Sequence, residues 1–211
     1  MAAGAESAAE MTLPQILEEL RKLEEALKFH EFHREAATDL DCSELEFQEI
    51  GFHACQFTAC DFSKADFYSC IFEDCQFTAC RFPVSFWKNC QLLRCKCDGA
   101  DFRRSRFKSC ALDGSLLRYT NFTNSVWEKC AVTNCNFTDA AISEARMLKT
   151  HFEKVDLTGA ELFRTSMKGI DLSSCTLDRI SLSESCSELK GAKINAGQAA
   201  VVARILGIEV L

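Results

Sequence analysis

Residues 60–69 read Cys60-Asp61-Phe62-Ser63-Lys64-Ala65-Asp66-Phe67-Tyr68-Ser69, two five-residue units with one pattern: a small residue, an aspartate, a phenylalanine and two more positions. Working outward, a large apolar residue recurs at every fifth position without a slip of phase, from Phe47, Phe52 and Phe57 through Phe72, Phe77, Phe82, Trp87 and Leu92 as far as Leu182. Two residues before each lies a slot for small residues, among them Cys55, Cys60, Ala65, Cys70, Cys75, Cys80 and Ser85. Eleven of the fourteen cysteines fall in that slot.

A period of five matches neither the 3.6 residues of a helix turn nor the alternation of a simple strand, so neither element alone hides these residues from water. A square coil does. If each unit forms one side, the central residue and the small one two before it point inward and the other three point outward. The core is then a column of phenylalanines with Cys and Ala between them, and cysteine serves as a compact hydrophobe. Only two prolines and nine glycines occur, so ordinary residues must turn the corners.

Units such as Cys60-Asp61-Phe62-Ser63-Lys64, Ala65-Asp66-Phe67-Tyr68-Ser69 and Ala100-Asp101-Phe102-Arg103-Arg104 resemble the A(D/N)LXX units of the pentapeptide-repeat family. The resemblance implies an all-β solenoid, a right-handed quadrilateral parallel β-helix. Over residues 40–184 it comprises about seven coils of four units, and at roughly 4.8 Å per coil the rod is about 34 Å long. Residues 20 apart become vertical neighbours, so Cys55, Cys75 and Cys95 share one column and Cys70, Cys90, Cys110 and Cys130 another.

The flanks read as end covers, which an open β-helix needs. Residues 1–11 read as a disordered tail. Residues 12–39 read as an N-terminal amphipathic helix and cap: Leu13, Ile16, Leu17, Leu20, Leu23 and Leu27 recur at helical spacing, with Thr12 and Gln15 as a capping box. A partner-binding helix is the other reading of this segment. Residues 185–211 read as a helix and strand: Asn195 and Gln198 repeat the capping-box spacing, Ala196–Leu206 is helical in character, and Gly207 stops it. The stretch Thr165–Ser173 and the ending Leu189–Ile208 resemble the last coils and dimerisation helix of quinolone-resistance (Qnr) proteins, Gram-positive forms in particular. That resemblance implies a homodimer with Val202, Ile205, Leu206 and Ile208 in a two-fold interface; a helix that caps a monomer is the alternative.

No apolar run approaches the roughly 20 residues of a membrane span, and Met1–Glu6 has no secretory n-region, so a cytoplasmic protein with reduced thiols is expected. No Cys-x-x-Cys occurs, and no metal or cofactor is expected. The four histidines are scattered and no nucleophile, P-loop or dinucleotide motif is present, so no catalytic residue is assigned and the chain does not read as an enzyme.

Function then falls to the outer surface. The Qnr resemblance implies binding to a type II topoisomerase, DNA gyrase or topoisomerase IV, as a DNA mimic, with protection from quinolone-type or natural-product inhibitors. The alternative is a non-catalytic protein-interaction scaffold with another partner. Residues 1–41 hold 10 acids and 4 bases, and residues 42–182 hold 18 and 17, so any mimicry rests on charge distribution. Folding at 20 residues per coil places Asp41, Asp61, Asp101 and Glu161 in one column, and Glu73, Asp113 and Glu153 in another with Asp74 beside Glu73. A third face collects Lys88, Lys108, Lys129, Lys149 and Lys168 with Arg106 and Arg146. A pI of about 5.2 argues against direct nucleic-acid binding.

Overall fold

In the computed structural model the described residues are 12–23 and 26–210; the segment 1–11 lies outside them, as do the side chains of Leu20 and Leu23. Three-residue strands such as Asp66–Tyr68, Ile71–Glu73 and Gln76–Thr78 each form one side of a coil. Every strand pairs in parallel with the strand 20 residues away. One face carries the ladder Leu27, Phe47, Phe67, Trp87, Phe107, Trp127 and Met147, and the next carries Phe32, Phe52, Phe72, Leu92, Leu112, Val132 and Phe152. These are called face 1 and face 2. Face 3 is centred on Phe57 and Phe77, and face 4 on Phe62, Phe82, Phe102 and Phe122.

The period of five becomes a packed interior because each unit sends two side chains inward. Phe62 stacks on Phe82 at 4.9 Å, Phe82 on Phe102 at 4.8 Å and Phe102 on Phe122 at 4.9 Å between ring centroids. That spacing is the strand separation of any β-sheet, so backbone pairing and ring stacking are satisfied by one repeat distance. The small slots fill the corners between columns. Cys75 Sγ donates to Phe52 O at 3.1 Å and Cys95 Sγ to Phe72 O at 3.2 Å. All fourteen cysteines are free thiols, and Cys186 is the one that is not buried.

The corners confirm that ordinary residues make the turns. Lys64, Ser69, Asp74, Ala79, Val84 and Asn89 all adopt left-handed backbone, with φ between 53° and 62°. This costs an L-residue roughly 1–2 kcal/mol. The strain is held by the stack, since corner N–H groups donate to the coil below: Lys64 N to Pro83 O at 2.9 Å, Ser69 N to Lys88 O at 2.8 Å.

Helix α1, Leu13–Leu23, covers the first coil by placing Leu13 and Leu17 in the core, and Gln15 Oε1 accepts the Thr12 N–H at 2.9 Å. The helical reading across 12–39 is corrected: the helix ends at Leu23, and Leu27–His33 and Ala36–Thr38 are strands of a coil that precedes residue 40. Leu27, Phe32 and Ala37 keep the five-residue phase and are buried, but their small slots hold His30 and Glu35 in place of Cys or Ala.

The other boundary also moves. The repeat does not stop at 184: Asp171 bridges to Lys193, and Met167 N donates to Glu188 O at 2.8 Å, so a final coil runs past it with two extra residues. The insertion is absorbed by left-handed Cys186 and a short 3-10 turn, Ser187–Leu189. Glu188, 2% exposed, ties the turn down through its carboxylate, which accepts from Arg164 N at 2.9 Å and Ser183 Oγ at 2.9 Å. Helix α2, Ala196–Ile205, then closes the end. Asn195 and Gln198 form the full capping box, and buried Gln198 donates to Leu172 O at 2.7 Å and Cys175 O at 2.6 Å, carbonyls that have no further coil to pair with.

Candidate functional site

The outward positions of each unit form straight columns, and their charges follow from the 20-residue register. On face 4 the column Asp41, Asp61, Arg81, Asp101, Asn121, Ala141, Glu161 is continuous. It is less acidic than its aspartates suggest, because Arg81 stands between Asp61 and Asp101 and pairs with Asp61. Asp101 is held by Arg103 at 2.7 Å. Both aspartates also build the turn: Asp61 Oδ1 accepts Ser63 N at 2.9 Å and Asp101 Oδ1 accepts Arg103 N at 3.0 Å. Partial burial opposes ionisation of Asp61, yet the Ser63 donors and the Arg81 guanidinium outweigh it and hold its carboxyl below the ordinary value. Asp41 makes the same turn with Ser43. Glu161 is exposed and has no cation within 4.0 Å among the described residues.

Face 2 places Glu73, Asp113 and Glu153 in one column as the register predicts, with Asp74 beside Glu73. Here Arg94 is the neutralising group, reaching Glu73 at 2.6 Å and Asp74 at 2.8 Å. It holds both carboxyls below their ordinary values. Glu73 also takes His53 Nδ1 at 3.0 Å, while His53 Nε2 meets Glu31 at 2.8 Å. Asp113 accepts Thr133 Oγ1 at 2.6 Å and Asn134 Nδ2 at 2.8 Å, which lowers its carboxyl pKa. Glu153 lies 3.6 Å from His151 and 4.0 Å from Lys154. Reading acids alone missed Arg81 and Arg94. Their places were legible in the register, each being 20 residues from an aspartate.

On face 1 the lower rungs carry Lys88, Arg106, Lys108, Lys129, Arg146, Lys149 and Lys168, all exposed, while the upper rungs carry Glu46, Glu49 and Asp66. At the C-terminal end Val202 is half-buried, and Ile205, Leu206 and Ile208 are 36%, 51% and 55% exposed. The four named interface residues therefore share one end of the rod with exposed Val210. Among the described residues no group of three His, Cys, Asp or Glu side chains is arranged to hold a metal, and no helix is long and apolar enough to cross a membrane.

The sequence matches the family model described as pentapeptide repeat region over residues 81–149, and the model described as pentapeptide repeats (8 copies) over 46–83 and 135–174. No curated protein matches it. Among solved structures, a trypsin-treated variant of QnrB1, a plasmid-mediated fluoroquinolone resistance protein, superposes with a TM-score of 0.54 at 17% identity, covering 86% of this chain and 99% of that one. HetL from the cyanobacterium Nostoc, a pentapeptide repeat protein involved in heterocyst differentiation regulation, covers 89% of this chain and 99% of its own, with a TM-score of 0.36 at 11% identity. At these identities the likeness concerns the fold.

Proposed function

Because this chain belongs to the pentapeptide-repeat family, we propose that it acts by binding and not by catalysis, and that its partner is a type II DNA topoisomerase. The rod docks on DNA gyrase or topoisomerase IV in the cytoplasm, as a DNA mimic, and protects the enzyme from quinolone-type or natural-product inhibitors. The observation that supports this reading is the correspondence of the rod with QnrB1 over 99% of that chain's length. The ion pairs on faces 2 and 4 narrow the docking surface. Asp61, Asp101, Glu73 and Asp74 are tied to arginines, so in this reading the field that draws the rod into a basic DNA-binding saddle comes chiefly from Glu161 and Asp113.

Two subunits join end to end through Val202, Ile205, Leu206 and Ile208. Exposed apolar side chains concentrated at one end of a rod favour such burial over leaving them in water. Equilibrium sedimentation tests this half of the reading: the chain sediments as a dimer and I208D as a monomer, and a monomeric parent chain rejects it.

Binding of purified gyrase and topoisomerase IV to the immobilised rod tests the other half. Tight binding that E161K and D113K weaken about tenfold supports it. If neither enzyme binds while an unrelated protein does, the second reading, a scaffold for a different partner, takes its place.

A further inference from the structure

Face 1 differs from the other faces in that its cations are not matched by acids. From the Trp87 rung to the Met167 rung seven exposed cations, Lys88 to Lys168, face one acid, Glu128, which lies 4.0 Å from Lys108. Elsewhere Arg81, Arg94, Arg103, Arg118 and Arg164 each hold a carboxylate. Among the described residues none of the face 1 cations other than Lys108 makes an ion pair.

The register makes the arrangement costly. Lys88 and Lys108 are direct ladder partners, and Lys129 and Lys149 occupy equivalent positions one rung apart. Like charges directly opposite on a sheet are destabilising, so this face is not arranged for the stability of the free protein.

We propose that this strip docks the phosphodiester backbone of duplex nucleic acid, without reading base sequence. Three features favour that occupant over an acidic protein. The centre of the strip is lysine and arginine, whereas protein interfaces are depleted of lysine and have an apolar centre; Leu148, at 43%, is the large apolar side chain exposed among these rungs. From Phe86 to Leu148 the strip is a flat face of paired strands, with Lys168 one coil beyond them, suited to backbone contact and not to holding a base. Its length, about 19 Å at roughly 4.8 Å per rung, spans about eleven charges of duplex at roughly 1.7 Å per charge. Glu46, Glu49 and Asp66 on the upper rungs repel the same polymer and fix which end of the face it occupies.

The chain's net charge of −7 does not oppose this. Residues 1–41 supply most of it, with 10 acids against 4 bases, while residues 42–182 are nearly neutral at 18 against 17, and exposed charges separated by more than about 10 Å are largely screened. The inference stands apart from topoisomerase binding, and its test contains no topoisomerase.

Fluorescence anisotropy of a labelled duplex, with a single strand of the same sequence and polyglutamate as competitors, reads it directly. Duplex binding is micromolar at about 50 mM salt and falls at least about tenfold by 200 mM. The triple variant K108E/K129E/K149E weakens it at least about tenfold and flattens the salt dependence, while K64E on face 4 leaves it unchanged. Melting curves of both variants check that the rod is intact. Absent or salt-independent binding, equal weakening in K64E, or tighter binding of the single strand or of polyglutamate overturns the proposal.

Discussion

Trp87 donates its indole N–H to Ser85 Oγ at 2.8 Å, two residues earlier and inside the same unit. Trp127 does the same with Ser125 at 2.9 Å. Both pairs are buried on face 1, where the central slot widens from phenylalanine to tryptophan and the small slot changes to serine in the same units. A buried indole N–H without a partner costs free energy, so the two slots are coupled chemically as well as by volume.

Ser85→Ala therefore destabilises the rod by about 1–3 kcal/mol by leaving the Trp87 N–H unpaired. Ser85 Oγ also donates to Phe82 O at 2.7 Å and meets Ser105 Oγ at 3.0 Å, so the loss exceeds that of Ser125→Ala. Chemical denaturation of the two variants side by side checks the order, and equal stability with the parent protein refutes the coupling.

Phe107→Ala opens a cavity between Trp87, at 5.9 Å, and Trp127, at 4.4 Å between ring centroids. The cost is about 3–5 kcal/mol. An unchanged melting temperature would contradict the inward placement of the central slot.

These elements show how far the sequence alone could be read. The five-residue phase disclosed the core from Phe47 to Leu182, because burial repeats with the chain's own period. The coil begun by Leu27 was hidden because His30 and Glu35 replace its small residues, and Leu13, Ile16, Leu17, Leu20, Leu23 and Leu27 also satisfy a helical period. The final coil was hidden because its two-residue insertion breaks the phase, and Glu188 restores its hydrogen bonds through a side chain. The acidic columns were legible as positions; that Arg81 and Arg94 neutralise part of them depends on which way long side chains reach between rungs, which no phase encodes.

His53 makes the first coils pH-sensitive. Its burial favours the neutral ring, but hydrogen bonds to Glu31 and Glu73 outweigh that and raise its pKa above 6.5. A raised folded-state pKa means that the added stability is fully present below about pH 6.5, provided the two carboxylates remain ionised, and is lost as pH rises through the folded value. His53→Gln should thus destabilise more at pH 6 than at pH 8, measured by melting at both. An equal effect at the two pH values argues against a charged bridge.

The thiols should be nearly silent to alkylation. Thirteen of the fourteen are buried, which denies a reagent access, and burial also raises the Cys97 and Cys175 thiols and pushes Cys135 up to about 11. Native protein should label quickly at half-exposed Cys186 alone, and at all fourteen positions after denaturation. Rapid labelling of several thiols in the folded state would contradict the packed core.

The proposed protection of a topoisomerase is read by DNA supercoiling by purified gyrase with and without ciprofloxacin as the protein is titrated in. Supercoiling is expected to return at protein concentrations that do not themselves inhibit the enzyme. If no concentration restores it, the protector reading is contradicted.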